Sequence, residues 1–312
     1  MAIGKAVSSG SVHPNVTLVF SDRHYLETVE GYLDGLETLV DRLQREGWSS
    51  QEIGRRIQAI HSVNSLFVSR VDRAVDPMIE ARLRRCGESE QKTLSLLKGK
   101  TALAQAKKVY QMFETIFLGR PFLDPLGLYE GEGEPARLRM KLETLQARFH
   151  RLKAFGAQPQ RVLMASTGVK SDQPYSPLLY VLPLLGPWSC HTMPEGTLEQ
   201  FSDFLARIPD KKIEMLKTRK MIAEPLLALP TDLTPTDRWD EAVLMTPEER
   251  KRNGIAELGA DCVLEAVDRL VLRPAGTDLR QICDLLRDQG ASAFTRDEQA
   301  TLQAIETKLA TL

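Results

Sequence analysis

Apolar residues along this chain recur with two periods, and the points where one gives way to the other divide it into elements. Asn15–Phe20 (NVTLVF) has the compact alternation of a strand, with Asn15, Thr17 and Val19 on one face and Val16, Leu18 and Phe20 on the other. A polar pair on one face needs partners if buried, and these residues fit neighbouring backbone or a ligand equally well. From Asp22 the period becomes helical. Leu26, Val29, Tyr32, Leu33, Leu36, Val40 and Leu43 form one stripe, stopped near Gly47. Ser49 and Glu52 have capping-box spacing for a second short helix carrying Ile53 and Ile57. His61–Asp72 (HSVNSLFVSRVD) then reads as a buried strand whose end delivers the Ser65 hydroxyl and the Arg70 guanidinium to one place. The planar fork of arginine suits a phosphate, although a core strand whose terminal arginine reaches into water has the same pattern.

Strand, helix, helix, strand is the rhythm of a parallel βα unit, because parallel strands need a crossover. Asp76 to His150 is mostly helical, and within 97–117 Leu103, Ala106, Tyr110, Phe113 and Phe117 mark a helix core face. Arg120–Ala136, with its EGEGE run, reads as an exposed loop, followed by a helix over roughly Ala136–Phe155. The third strand, RVLMAST (161–167), ends in Ser166 and Thr167, with Lys170 just past a glycine; that lysine is either an anion contact or an ordinary solvated side chain. A fourth strand is expected near Trp188–Thr192, and Glu195 and Thr197 open another helix. Met1–Gly10 resembles the last turns of a helix, with Ile3, Ala6 and Val7 on one face and Gly10 as its C-cap. Beyond the proline-rich connection Pro225–Asp237, Thr246-Pro247-Glu248-Glu249 is a strong helix start. Amphipathic helices at about 256–271, 277–288 and 296–311 are expected to serve packing.

Composition narrows the function classes. A chain of 312 residues, 42% hydrophobic, can bury a large core. With 41 basic and 42 acidic residues the net charge is −1, which gives no electrostatic footprint for nucleic acid or an anionic membrane. Cys86, Cys190, Cys262 and Cys283 lack CxxC spacing and the histidines do not cluster, so neither a metal site nor a disulfide framework is expected. The most apolar segment, Pro177–Trp188, is short and broken by Pro183 and Gly186, which argues against a membrane span. No Walker loop or dinucleotide fingerprint occurs. A soluble cytoplasmic protein is expected.

Four strands, each ending in polar residues and each followed by helix, give the expected fold class: α/β, an incomplete (β/α)8 TIM barrel of about four parallel strands with many additional helices. Such barrels carry reactive groups at the C-terminal ends of their strands. The segments NVTLVFSDRHYLETVEGYLDGLE (15–37), SVNSLFVSRVDRAVD (62–76), GKTALAQAKKVYQMFETIF (99–117), VLMASTGVKSDQPYSPLLYV (162–181) and TMPEGTLEQF (192–201) closely resemble the bacterial transaldolase family. QGASAFTRDEQATLQAIETKL (289–309) resembles its last helix more weakly. The resemblance divides the chain into a partial barrel over 1–205, with a helical insertion at about 77–155, and a mainly helical region over 206–312 whose last helix is expected to pack back on the barrel.

The resemblance implies a transferase of the pentose phosphate pathway that moves a dihydroxyacetone unit between sugar phosphates through a lysine Schiff base, with no metal or organic cofactor. It assigns Asn15 and Thr17 to substrate hydroxyls and a catalytic water, Ser65 and Arg70 to the substrate and its phosphate, and Ser166 and Lys170 to completing the phosphate site. The residue types suit this chemistry, which needs a poised amine, a proton shuttle and fixed positive charge. The family's Schiff-base lysine lies on a strand upstream of the helix that Met1–Gly10 resembles, so it is expected to be missing here; Lys5 is not taken as its substitute. Gln105 and His191 stand where the family usually has asparagine.

An isolated half-barrel has two unpaired edges and an uncovered face. Each large apolar side chain left wet costs about 1.5–3 kcal/mol, against a total stability of about 5–15 kcal/mol. The missing half is therefore expected from another polypeptide, a second copy or a longer natural chain, unless the extra helices cover the face. Two other readings stand beside the enzyme: a catalytically silent module binding a sugar phosphate or partner subunit, and a helical scaffold without a ligand.

Overall fold

The computed structural model describes residues 2–127, 130–170, 172–229 and 236–309. Met1 of the first expected helix, 128–129 of the expected loop, 230–235 of the proline-rich connection and 310–311 of the last expected helix lie outside the described residues.

The chain opens with α1 (Ala2–Ser8), β1 (Asn15–Val19), α2 (Asp22–Arg45), α3 (Ser50–Gln58) and β2 (Ser62–Phe67). The expected stripe of α2 is buried along its whole length, and Ser21 caps the helix by accepting from the His24 amide. The capping box of α3, Ser49 with Glu52, is formed in both directions. Ile3 and Val7 of α1 are buried against α2 at a close crossing: a β-carbon on Gly35 would lie 2.8 Å from the Gly4 carbonyl oxygen and 2.5 Å from Val7 Cβ.

Four helices follow: α4 (Ser69–Leu83), α5 (Glu88–Leu97), α6 (Thr101–Leu118) and α7 (Glu134–Lys153). Then come β3 (Gln160–Ala165), β4 (Ser189–His191), α8 (Glu195–Arg207) and α9 (Asp210–Thr218). The remainder comprises β5 (Leu226–Leu227), α10 (Thr236–Leu244), α11 (Pro247–Arg252), β6 (Glu257–Leu258), α12 (Ala260–Val267) and α13 (Leu279–Leu309). Strands β1 to β4 form one parallel sheet in chain order, as the βα rhythm requires, and the short β5 and β6 pair antiparallel. Among the described residues the larger sheet is open, with β1 and β4 at its edges.

The two faces of the sheet differ. Ser62, Asn64 and Leu66 of β2 and Gln160, Val162 and Met164 of β3 are buried, on the side where α2 and α6 pack. The opposite face carries Asn15, Thr17 and Arg161 in solvent, with Phe67 and Leu163 half-buried. Behind the sheet, α6 is the most enclosed helix, and Leu103, Ala106, Tyr110, Phe113 and Phe117 all lie in the core as expected. Its two lysines are satisfied internally. Lys107 Nζ donates to the carbonyls of Pro183 (2.8 Å) and Met221 (2.7 Å), and Lys108 pairs with Asp261 at 3.0 Å.

Three local expectations are corrected. Arg70 does not end a strand: β2 stops at Phe67, Val68 already has helical backbone angles, and Arg70 sits in the first turn of α4. Within β1 the alternation of exposure holds only to Thr17. Leu18 takes φ 60, the pairing with β2 shifts register, and Leu18, Val19 and Phe20 are all buried. The helices expected at 277–288 and 296–311 are a single 31-residue helix over the described residues, because Gly290 packs against Leu18 instead of ending a turn.

Candidate functional site

Side chains of a strand point alternately to opposite faces, so the residue types along β1 and β2 determine what the open face presents. Asn15 and Ser65 meet there: Ser65 Oγ donates to Asn15 Oδ1 at 2.8 Å across the β1–β2 pair. Ser65 is 5% exposed, whereas Asn15 is exposed, so the amide of Asn15 is oriented by a buried hydroxyl with its remaining polar atoms open to solvent. Thr17, two residues further along β1, is exposed on the same strand.

The second group lies at the C-terminal rim of β2 and β3. The parallel ladder runs past the strands, with the Val68 amide donating to the Ala165 carbonyl (2.9 Å) and the Ser69 amide to the Ser166 carbonyl (3.1 Å). This brings the Ser69 and Ser166 hydroxyls to 3.0 Å of each other. Ser166 holds a left-handed φ of 57, an uncommon conformation for a non-glycine residue and one that turns the chain sharply at the end of β3. Arg70, beside Ser69, is half-buried with its guanidinium carbon 5.0 Å from the centre of the Phe67 ring. Among the described residues Arg70 makes no ion pair, and it stands at a helix N-terminus, where the peptide dipoles favour an anion. Lys170 is exposed on the segment after β3, its backbone amide donating to Gln173 Oε1 at 3.2 Å. Thus Asn15 is joined to Ser65, and Ser166 to the turn that carries Arg70; Thr17 and Lys170 share those elements without a direct contact to the others.

Gln105 and His191 both serve the backbone. Gln105 Nε2 donates to the Phe20 carbonyl, and His191 Nε2 lies 3.2 Å from the Leu184 carbonyl oxygen. Burial holds the His191 imidazole below its ordinary pKa.

A network behind the rim escaped the sequence reading. Asp72 and Asp76 are buried on the inner side of α4. Asp72 accepts from the Ala102 amide (2.8 Å) and the Tyr180 hydroxyl (3.0 Å); Asp76 accepts from the Gly99 amide (3.1 Å) and the Tyr175 hydroxyl (2.6 Å). Burial pushes both carboxyls up, Asp76 to about 6. The available signal was two aspartates four apart within the stripe Val71, Val75 and Ile79. Near the end of β1, His24 lies 2.7 Å from Asp284 of α13, and Arg23 and Arg287 face the same carboxylate.

Clefts of appreciable volume lie away from the rim. One of about 430 Å³ borders α6 and the start of α12, with Lys107, Glu114 and Asp261 among its walls. Another of about 730 Å³ lies between Ser21–Arg23 and the residues leading into α13. Among the described residues no group of three or more His, Cys, Asp or Glu side chains is placed to hold a metal ion. No described helix is long and apolar enough to cross a membrane.

The family described as transaldolase/fructose-6-phosphate aldolase matches residues 1–234. A transaldolase of Mycolicibacterium smegmatis is 36% identical over 202 residues, covering 65% of this chain and 42% of that protein. Transaldolase 1 of Streptomyces avermitilis is 36% identical over 202 residues, covering 65% of this chain and 41% of the relative. A transaldolase of Mycobacterium tuberculosis is 31% identical over 229 residues, covering 73% and 49% respectively. The chain therefore spans less than half the length of these curated relatives in the matched region. With its matched residues spanning all four strands of the parallel sheet, the chain belongs to the transaldolase/fructose-6-phosphate aldolase family.

Proposed function

We propose that this chain supplies one half of a (β/α)8 transaldolase barrel, and that the assembled barrel transfers a dihydroxyacetone unit from a ketose phosphate to an aldose phosphate. The observation that carries this reading is Arg70, a guanidinium without an ion-pair partner among the described residues, set beside the Ser69–Ser166 hydroxyl pair in a chain of this family. A sugar phosphate is a dianion. A half-buried guanidinium, two hydroxyls and a helix N-terminus offer the fixed positive charge and donors that such a group requires. Lys170 adds a second cation from the segment after β3.

In the proposed reaction the reactive amine comes from outside these residues, on the complementing half of the barrel. It attacks the ketose carbonyl and water leaves, giving an iminium. A base removes the proton of the hydroxyl on the carbon beyond the bond to be broken, that bond's electrons move into the iminium as an enamine, and the aldose phosphate departs. The enamine then attacks the incoming aldehyde, and water hydrolyses the new iminium to release product and amine. On this chain, Asn15 and Thr17 project from the face that would line the barrel. There they bind substrate hydroxyls and hold the water that carries protons, while Arg70, Ser166 and Lys170 fix the phosphate. The open edges of β1 and β4 support a partner that continues the parallel sheet. Participation in the pentose phosphate pathway and a cytoplasmic location belong to the same proposal.

Borohydride trapping with fructose 6-phosphate tests the reading. The chain is assayed alone and together with the portion of the Mycolicibacterium smegmatis transaldolase that it does not match, followed by intact mass. The expected adduct is on the complementing portion only, with loss of trapping on Arg70→Ala. An adduct on this chain alone would refute the assignment of the amine. Sugar-phosphate binding with no adduct in the mixture favours the silent binding module, which the open face of Asn15 and Thr17 also suits.

A further inference from the structure

The candidate phosphate residues come from two segments: Arg70 from the first turn of α4, and Ser166 and Lys170 from the chain leaving β3. Hydrogen bonding between the backbones of Val68–Ser69 and Ala165–Ser166 joins them at the strand ends. Beyond Ser166 the second segment leaves the sheet, and Lys170 is exposed. What ties this segment back to α4 is a pair of phenols. Tyr175 reaches Asp76 at 2.6 Å and Tyr180 reaches Asp72 at 3.0 Å. These carboxylates lie two and six residues beyond Arg70 on the same helix, and both are almost fully buried.

Each carboxylate uses its other oxygen to hold the start of α6. Asp72 Oδ1 accepts from the Ala102 amide and Asp76 Oδ1 from the Gly99 amide. The two aspartates therefore fix three pieces of chain at once: α4, the segment after β3 and the start of the buried helix α6. A carboxylate that accepts from one phenol and one amide, both buried, has little freedom to rotate, since any rotation leaves a buried polar group unpaired. Apolar side chains would fill the same space, but would not set the register between α4 and the segment that carries Lys170.

We infer that Asp72 and Asp76, acting through Tyr180 and Tyr175, are positioning residues that hold the segment after β3 at a fixed register to Arg70 and so assemble the phosphate site. The inference rests on the reading of Arg70 and Lys170 as phosphate ligands, and extends it to four residues that touch no substrate.

Sulfate is the probe, because it stays a dianion across the working pH range. Its affinity for the full chain is measured by calorimetry for wild type, Arg70→Ala, Tyr175→Phe with Tyr180→Phe, and the control Tyr32→Phe, which removes a hydroxyl bonded to the Gln158 carbonyl elsewhere. Melting temperature and hydrogen exchange over 167–170 and 172–174 are followed in parallel. The expected result is loss of sulfate binding in Arg70→Ala and about tenfold weaker binding in the double tyrosine variant. Exchange should rise in 167–170 and 172–174, and Tyr32→Phe should bind as wild type does. Sulfate affinity within about twofold of wild type in the double variant, with Arg70→Ala still failing to bind sulfate, overturns the inference and leaves the phosphate reading intact. Unchanged binding in Arg70→Ala overturns both. Should the double variant fail to fold, Asp76→Asn keeps an acceptor oxygen for one partner and is read by the same criteria.

Discussion

A β-carbon on Gly290 would lie 2.6 Å from Leu18 Cδ2, so the last helix crosses the edge strand closely enough that any larger residue there must displace the Leu18 side chain. Leu18 is buried and held at a left-handed backbone angle, which leaves it little room to withdraw. Alanine in a helix interior is worth about 1 kcal/mol over glycine, whereas overpacking costs about 1–3 kcal/mol. Gly290→Ala is therefore expected to lower stability by about 1 kcal/mol net in urea unfolding. Truncation after Ala291 is expected to change it by less than about 0.5 kcal/mol, since Phe294, Leu302 and Ile305 are 48%, 54% and 50% exposed. A gain of about 1 kcal/mol in Gly290→Ala, the full helix-propensity benefit with no offsetting loss, would show that α13 does not press against Leu18.

Arg70→Ala removes a guanidinium that makes no ion pair among the described residues. Its melting temperature should stay near that of wild type, while phosphate-bearing ligands lose about 1.5–3 kcal/mol of binding, measured by calorimetry. Ser65→Ala takes the donor from Asn15 and is expected to cost about 1 kcal/mol of stability by urea unfolding. A large drop in the melting temperature of Arg70→Ala would instead make that residue structural.

Burial raises the Asp76 carboxyl from 3.8 to about 6, so between these values the folded chain holds a proton that the unfolded chain has lost. The corresponding stability is fully present below pH 3.8 and is lost as pH rises through about 6. Stability of wild type relative to Asp76→Asn should fall by on the order of 1–3 kcal/mol over that window. A difference independent of pH from 4 to 7 would remove the assignment.

His24 behaves in the opposite sense. Burial lowers its imidazole below 6.5, opposed by the hydrogen bond to Asp284. The Phe20 amide approaches Nδ1 at 3.4 Å, which leaves Nε2 to donate to Asp284. The unfolded chain takes up a proton near pH 6.5 while the folded chain does not, so this contribution is present above that pH and is lost as pH falls below it. NMR titration of the His24 ring should give a midpoint under 6.5; a midpoint above it would place the charged form in the fold.

Local pattern made much of the fold legible. The α2 stripe, the capping boxes at Ser49 and Thr246, the core face of α6 and four strands of roughly the observed extent all depend on residues near one another in sequence. The end of β2 is not legible in the sequence, because Val68 fits a strand by composition, while hydrogen bonds to Ala165 and Ser166, almost a hundred residues on, decide where the helix begins. The contact of Ser65 with Asn15 was not legible either, since it depends on the register between two strands fifty residues apart.

The candidate site divides in the same way. Polar residues at strand ends could be found from alternation, and Arg70 from its place after an apolar run. The Asp72–Tyr180 and Asp76–Tyr175 pairs could not, because each joins residues about a hundred positions apart whose types are ordinary taken singly. Sequence alone determined the kinds of element and their chain order, since period and capping act over a few residues. Only tertiary structure decided which side chains meet, where β1 bends and where α13 crosses it. Those outcomes depend on burial and register, which arise when distant segments pack together.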